Sequence, residues 1–136
     1  VNPVSDAAVE ETIQYFDTGF LGPRYNVMVT LPDAWVDTFE IRNEGNRLTF
    51  EYINEKSGAN PIFYVEALSE SQYWEQIGSY PGIYKNLGNT NDTYFIYYAP
   101  IDAFYSGLSR DLHAELLAAV PGIAATFDIE LIDRPI

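Results

Sequence analysis

The stretch NDTYFIYYAP, residues 91–100, decides the fold of this chain. Its central residues are apolar or aromatic on both faces of an extended strand, with Tyr94, Ile96 and Tyr98 on one face and Phe95 and Tyr97 on the other. A strand of this kind is usually covered on both faces. We therefore predict that residues 93–98 cross the interior of a sheet, and that the tyrosines belong to the core rather than to a ligand-binding surface.

Strands with one apolar face precede this stretch. Val27, Val29 and Leu31 recur with a period of two and end at Pro32, which indicates a half-buried strand. The same period continues on both sides of the turn sequence Asn-Glu-Gly-Asn at residues 43–46, with Phe39 and Ile41 before it and Leu48, Phe50 and Tyr52 after it. This pattern predicts a β-hairpin.

A further strand and a short helix follow. Residues 54–61 are rich in loop residues, and residues 62–68 form the predicted strand with Phe63, Val65 and Ala67 toward the core. Ser69 and Gln72 match a capping box, which predicts a helix over about residues 70–77. Its apolar stripe consists of Tyr73, Trp74 and Ile77. We expect Gly78 to end this helix in a left-handed conformation.

A longer helix is predicted over about residues 103–120, because apolar residues recur there every three or four positions. These residues are Leu108, Leu112, Leu116, Ala119 and Val120. Pro121 breaks or kinks the helix, and we expect one further turn after it.

Together these elements predict one domain over residues 1–136 with an α+β fold. We expect a mainly antiparallel, twisted sheet of five to seven strands with both helices packed on it. A chain of 136 residues can bury about two thirds of its unfolded surface, which is enough for one core. Residues 1–12 are small, polar and acidic, and we expect them to form a polar spacer or a poorly ordered segment.

The composition argues against several partners and chemistries. Seven Lys and Arg against twenty Asp and Glu give a net charge of −13, which repels nucleic acids and anionic lipids. The absence of cysteine excludes disulfides, thiolate nucleophiles and iron–sulfur sites. We therefore expect no nucleic-acid partner. Since no apolar run reaches the length of a membrane span, we also expect no insertion into a membrane.

The order of these motifs resembles a group of uncharacterised exported bacterial domains. The matching segments are Leu31-Pro32-Asp33-Ala34-Trp35, Leu87-Gly88, Ala99-Pro100-Ile101-Asp102 and the Pro-Gly-Ile sequence at residues 121–123. The arrangement also looks like the PsbP-like architecture, an antiparallel sheet flanked by helices. The resemblance covers residues 24–128 and implies an extracytoplasmic α+β domain, and it carries over no catalytic residues.

Candidate catalytic and metal-binding residues are few. His113 is the single histidine, and Asp111, two residues away, does not share its helix face, so we expect His113 at the surface or its boundary. Glu51 and Glu66 lie in predicted strands, but the alternation places them on the solvent side, away from a hydrolase cleft. Residues 89–92 lack the spacing of a calcium loop. We assign no catalytic residue, metal or cofactor.

Aromatic residues at the ends of elements are the candidates for binding. Exposed Tyr and Trp present flat, amphipathic faces that bind sugars, peptides and proteins. We select Trp35, Tyr80 and Tyr84 as candidate ligand-binding residues. The alternative is that they cap the core.

Three functional hypotheses remain. The first is a non-enzymatic extracytoplasmic domain, secreted or lipid-anchored to the cell surface, that binds a small ligand, a glycan or a protein. The second is a protein–protein interaction module or homodimer that docks through a sheet edge or an aromatic patch. The third is a hydrolase with a carboxylate site. A deep pocket of convergent carboxyls favours the enzyme, an aromatic groove favours ligand binding, and an apolar patch favours assembly.

Overall fold

The computed structural model describes residues 7–36, 38–54, 58–79, 84–99 and 110–133. These residues form strands and helices of a mixed, mainly antiparallel α+β fold, as predicted. The strands are β1 (Ala7–Ile13), β2 (Phe16–Asp17), β3 (Phe20–Leu21), β4 (Arg24–Leu31), β5 (Phe39–Asn43), β6 (Arg47–Asn54), β7 (Gly58–Leu68), β8 (Lys85–Asn89), β9 (Tyr94–Tyr98) and β10 (Asp128–Asp133). The helices are α1 (Asp33–Val36), α2 (Glu70–Ser79) and α3 (Arg110–Ala124).

The largest sheet has five strands in the order β5-β6-β7-β9-β8. Its first two strands form the predicted hairpin, with Phe39 opposite Tyr52 and Asn43 opposite Leu48. Strand β9 lies between β7 and β8, and Phe95 and Ile96 on its two faces are fully buried. The prediction that residues 93–98 run through the sheet interior is therefore confirmed.

The five strands of this sheet agree with the predicted number of five to seven, but the strands of the chain do not all join one sheet. A second sheet has the order β1-β4-β10, and β2 and β3 form a separate two-stranded hairpin. Strand β4 packs its apolar face across the five-stranded sheet, where the Tyr25 ring meets the Phe95 ring edge-on at 5.3 Å. A half-buried strand has the same period of two whether it pairs within a sheet or packs on its face, so the pattern could not separate these arrangements.

The main core lies between β4, α3 and the inner face of the five-stranded sheet. Phe50 and Phe63 stack at 4.3 Å on that face. Helix α3 contributes Leu116, Val120 and Ile123. Each buried side chain of this size stabilises the fold by about 1.5–3 kcal/mol.

Helix α2 packs on the opposite, outer face of the same sheet, where Tyr73 meets Leu68 and Ile96. The predicted capping box is present. The Gln72 amide donates to Ser69 Oγ at 3.2 Å, and the Ser69 amide donates to Gln72 Oε1 at 3.0 Å. This pair satisfies two amides that the first helical turn would leave free.

The expected end of α2 needs a correction. The helix continues to Ser79, and Gly78 does not adopt the positive φ of a left-handed residue. Gly78 therefore lies within the last turn and does not terminate the helix.

The expected spacer over residues 1–12 is wrong for residues 7–12. They belong to β1, which pairs with β4 from Ala7 opposite Leu31 to Ile13 opposite Tyr25. Residues 1–6 lie outside the described residues. The sequence pattern did not predict this strand, because Val9 and Ile13 are the only large apolar residues on its buried face and their neighbours are small or acidic.

The C-terminal helix is shorter than predicted in the described part of the chain. It comprises 15 residues, Arg110–Ala124, and residues 103–109 of the predicted span lie outside the described residues. The helix passes through Pro121 and ends one turn later. The Ala125 amide donates to the Pro121 carbonyl at 3.0 Å, so the turn after the proline keeps its hydrogen bond.

Strand β7 begins at Gly58, within the predicted loop over residues 54–61. A register shift between Phe50 and Glu51 brings Pro61 opposite Glu51. Proline lacks an amide hydrogen and is tolerated at such irregularities, which explains how this strand accommodates it.

Candidate functional site

Trp35 is part of the core wall rather than an exposed platform. Its side chain is 3% exposed, and its indole ring stacks on the Phe39 ring at 3.8 Å and tilts against Phe63 at 6.2 Å. The Trp35 amide donates to the Pro32 carbonyl at 2.9 Å, which fixes α1 directly after β4. The predicted ligand-binding residue therefore has one ring face committed to packing.

A hollow of about 340 Å³ nevertheless lies beside Trp35, between α1, the β5–β6 pair and α3. Its apolar walls are Pro32, Trp35, Tyr52, Leu112, Leu116 and Ala119, and Thr38 and Glu115 complete the lining. A second hollow of about 330 Å³ shares Pro32 and Ala119 with the first and continues along α3 past Gly122 to Asp33. We call the two hollows together the α3 groove.

The other two predicted binding residues lie apart from Trp35 or outside the described residues. Tyr84 is half-buried and packs edge-on against Tyr98 at 4.8 Å, in the hydrophobic cluster beneath α2. Trp35 belongs to the main core cluster instead. Tyr80 falls outside the described residues. Trp35 and Tyr84 thus do not combine into one aromatic surface.

The β2–β3 hairpin carries a feature that the sequence reasoning missed. It is closed by a two-residue turn, in which Thr18 has φ 44° and Gly19 has φ 83°. Positive φ at both central residues is the geometry that suits a tight hairpin. Phe16 pairs with Leu21 across this hairpin, and the turn leaves Phe16, Phe20 and Leu21 between 48% and 60% exposed.

Helix α2 holds this hairpin in place. The hydroxyl groups of Ser69 and Ser71 donate to Asp17 Oδ2 at 2.6 and 3.2 Å. The Gln72 side-chain amide donates to the Phe16 carbonyl at 2.6 Å. The hairpin is therefore bound to the start of α2 by hydrogen bonds on both its side chain and its backbone.

Exposed apolar residues gather around the hairpin. Trp74 lies one helical turn after Ser71, and is 58% exposed. Leu131 lies opposite Tyr25 in β4, and Asp133 lies opposite Arg24. The chain between the end of the hairpin at Leu21 and Arg24 spans at most about 10 Å. The large apolar side chains that are exposed in the described part of the chain lie on the hairpin, on α2 and on β10, namely Phe16, Phe20, Leu21, Trp74, Leu131 and Ile132. We call these six residues the apolar end.

The assignment of Trp74 to the buried stripe of α2 was wrong. Tyr73 is buried and Ile77 half-buried against the sheet, whereas Trp74 turns away from it. Neighbouring residues on a helix differ by about 100° in direction, so Tyr73 and Ile77 share a face from which Trp74 departs.

A buried polar cluster occupies the outer face of the five-stranded sheet. The Tyr98 hydroxyl donates to Glu66 Oε1 at 3.0 Å, and the Asn46 side chain donates to Oε2 at 3.3 Å. The Arg47 guanidinium lies over the Tyr64 ring, 5.0 Å from its centre. Burial raises the pKa of Glu66, and these hydrogen bonds and the Arg47 charge oppose that rise in part.

The expectation that Glu51 and Glu66 face solvent was wrong, because both are buried. Their partners differ, since Arg42 lies 3.2 Å from the Glu51 carboxylate and Tyr98 binds Glu66. Glu66 is opposite Arg47, four residues before Glu51 on β6, so the two acids are about 13 Å apart along the strand. A glycosidase pair is separated by about 5–9.5 Å, so this pair does not match it.

His113 is also buried, against the expectation of a surface or boundary position. Among the residues that the structure describes, no three His, Asp or Glu side chains converge in a way that could hold a metal ion. Within the same residues, no helix is both long and apolar enough to cross a bilayer.

Comparison of the chain with protein-family models, curated proteins and solved structures gives no match.

Proposed function

We propose that this protein is a non-enzymatic binding module that docks another protein through the apolar end. One observation carries the proposal: four of the six exposed large apolar side chains lie on the β2–β3 hairpin, namely Phe16, Phe20 and Leu21, or on the helix that holds it, namely Trp74. Single exposed apolar residues are ordinary, whereas a group of them marks an interaction surface. Two of the six are phenylalanines and one is a tryptophan, the residue types that dominate the centres of interfaces.

The surface is formed before any partner arrives. Asp17 and the Phe16 carbonyl are held by Ser69 and Gln72, and Phe20 lies beside the buried Tyr15 ring at 6.3 Å between ring centres. Gly22 packs so closely on Tyr15 that a Cβ there would overlap the ring. Since the hairpin is already ordered, binding does not have to offset the entropic cost of ordering it.

The charges around the apolar end favour a partner of a particular chemistry. Glu70 at the start of α2, Glu75 beside Trp74 and Glu130 beside Leu131 are all exposed, and Arg24 is the basic neighbour. A second copy of this chain would bring like charges together, as would an anionic membrane. We therefore propose a protein partner with an apolar patch surrounded by Lys and Arg.

A peptide-display selection tests this proposal. The wild-type protein is used to select peptides, and the Kd of the selected peptides is measured from the change in tryptophan fluorescence that binding beside Trp74 causes. We expect aromatic or aliphatic peptides flanked by basic residues. The double variant Phe16→Ser/Phe20→Ser should weaken their binding at least about tenfold, because truncating aromatic anchors costs about 2 kcal/mol or more. Glu40→Gln, on the exposed edge strand β5, is the matched control and should bind as the wild type does.

Two results would contradict the proposal: equal affinity of the double variant, or selected peptides with no apolar anchor. Sedimentation of the wild type and the double variant tests the alternative that the chain associates with itself. A wild-type dimer that becomes monomeric on Phe16→Ser/Phe20→Ser would identify a second copy as the partner. The extracytoplasmic location and the PsbP-like resemblance stay predictions, and fractionation of the source cells tests the first.

A further inference from the structure

We propose that the α3 groove binds a linear organic diamine, in which a hydrocarbon chain separates two ammonium groups. The groove lies beside Leu31 at one end of β4, whereas Tyr25 and Arg24 adjoin the apolar end at the other. The site is thus separate from the proposed docking surface, and neither proposal depends on the other.

The walls of the groove suit a hydrocarbon chain. Trp35, Tyr52, Leu112 and Leu116 line its first half, and Ile123 and Gly122 line its second half. Each hollow, at about 330–340 Å³, is at the lower end of the range of small-molecule sites, so a slender ligand fits better than a bulky one. Gly122 contributes no side chain, and this keeps the second hollow open.

The two ends of the groove are acidic. Glu115 lines the first hollow, Asp33 lines the second, and both side chains are exposed. Gly122, which lines the same hollow as Asp33, is two helical turns beyond Glu115, about 10 Å along α3. A diamine that spans this length can place one ammonium group at each carboxylate while its methylene groups lie between them.

The lining also discriminates against anions. None of the described residues that line either hollow is Lys or Arg. A carboxylate ligand would meet Glu115 or Asp33 without a compensating positive charge. A cation gains further from the aromatic ring of the half-buried Tyr52, whose face attracts positive charge.

Calorimetry with four probes tests the ligand class. Octamethylenediamine matches the groove in length and charge, octylamine lacks one charge, octanoate reverses the charge, and ethylenediamine lacks the hydrocarbon. We expect saturable binding with affinity in the order octamethylenediamine, octylamine, ethylenediamine, and none with octanoate. The variant Trp74→Phe leaves Trp35 as the sole tryptophan, so a change in its emission places the ligand in the groove.

Variants of the acidic ends test the geometry. Glu115→Gln and Asp33→Asn preserve shape, and Asn keeps the helix-start preference of Asp. Each should weaken octamethylenediamine about threefold, and both together about tenfold, as expected for independent exposed ion pairs. Octylamine should lose affinity with only one of the two single variants. Glu40→Gln should leave both affinities unchanged.

Gly122→Leu provides a test that does not rely on charge. A Cβ at Gly122 meets open space, so the variant is expected to fold and to fill the second hollow, with circular dichroism as the check. It should abolish octamethylenediamine binding. The proposal is overturned if octanoate binds as well as the diamine, if no probe binds saturably, or if a folded Gly122→Leu protein binds the diamine unchanged.

Discussion

Tyr98 donates a 3.0 Å hydrogen bond to Glu66 across neighbouring strands of the five-stranded sheet. The bond satisfies a buried carboxyl group on a face that the alternation of apolar residues predicts to be exposed to solvent. Asn46 donates to the second carboxyl oxygen of Glu66. Burial and the Glu66 charge raise the pKa of Tyr98, which keeps its hydroxyl a donor over the ordinary pH range. The pair is 32 residues apart in sequence, so it ties β7 to β9.

The raised pKa of Glu66 predicts a loss of stability with rising pH. The folded state holds the Glu66 proton more tightly than the unfolded state does, so the free energy of unfolding falls as the pH rises through that raised pKa. Glu66→Gln removes this titration while keeping the side-chain shape. We therefore expect the variant to gain stability relative to the wild type as the pH rises from the ordinary glutamate pKa, as measured by urea unfolding across pH.

Glu40→Gln is the control for this series, because Glu40 is exposed on β5. Its unfolding curve should follow that of the wild type. Parallel curves for wild type and Glu66→Gln would show that the buried carboxyl does not carry the pH dependence.

Thr49 should be replaceable by valine with a gain in stability. Its Oγ1 is buried and has no hydrogen-bond partner among the described residues. An unsatisfied buried hydroxyl is unfavourable, so Thr49→Val should raise the free energy of unfolding by about 1 kcal/mol. Thr93 is equally buried, but its hydroxyl donates to Asp92 at 3.1 Å. Thr93→Val should lower the free energy of unfolding by about 1–2 kcal/mol. The prediction is contradicted if urea unfolding shows that both variants change the free energy of unfolding in the same direction.

Ser69→Ala should weaken both α2 and the attachment of the β2–β3 hairpin. The substitution removes the helix cap at Gln72 and the hydrogen bond to Asp17. The expected loss is about 1–2 kcal/mol in the free energy of unfolding. Ser71→Ala removes only an exposed 3.2 Å bond to the same carboxylate and should cost less than about 0.5 kcal/mol. Equal losses in chemical unfolding would mean that the cap does not stabilise the helix.

Gly78→Ala should stabilise α2. Gly78 lies in the helix without a positive φ, and a Cβ there would contact nothing within 4 Å. Replacement of glycine by alanine inside a helix raises the free energy of unfolding by about 0.5–1 kcal/mol. Gly45 has φ +92°, so Gly45→Ala should instead lower it, by about 1 kcal/mol or more. Thermal unfolding of both variants measures the two effects, and a Gly45→Ala protein as stable as Gly78→Ala would contradict the prediction.

Local patterns were sufficient to predict those parts of the fold whose partners are close in sequence. The β5–β6 hairpin, the alternation in β4 and the Ser69–Gln72 cap each need only a few neighbouring residues. The division of strands into two sheets was not predictable in this way, since β4 pairs with β10 about a hundred residues later. Alternation reports which face a side chain occupies and not what covers that face.

Glu66 illustrates the same limit at the level of a side chain. Its assignment to the face opposite Phe63 and Val65 was correct, but its burial depends on Tyr98 and Asn46, which the local pattern does not include.

The candidate sites were predicted only in part. Trp35 was selected from the sequence and does line a groove, but Glu115, which is 80 positions away, gave no sign of joining it. The apolar end was missed because Thr18 adopts a positive φ, which is uncommon for a residue other than glycine, so Thr-Gly was not recognised as a hairpin turn.

The double pairing of β4 fixes how the molecule can be attached to a sensor surface. Ala7 lies opposite Leu31 and Asp133 lies opposite Arg24, so these residues are about 23 Å apart, at opposite ends of the strand. A biotinylated tether fused ahead of Ala7 presents the hairpin to the flowing analyte and crowds the groove. A tether fused after Asp133 presents the groove and shields the hairpin, so the two immobilised orientations should report the two kinds of ligand selectively.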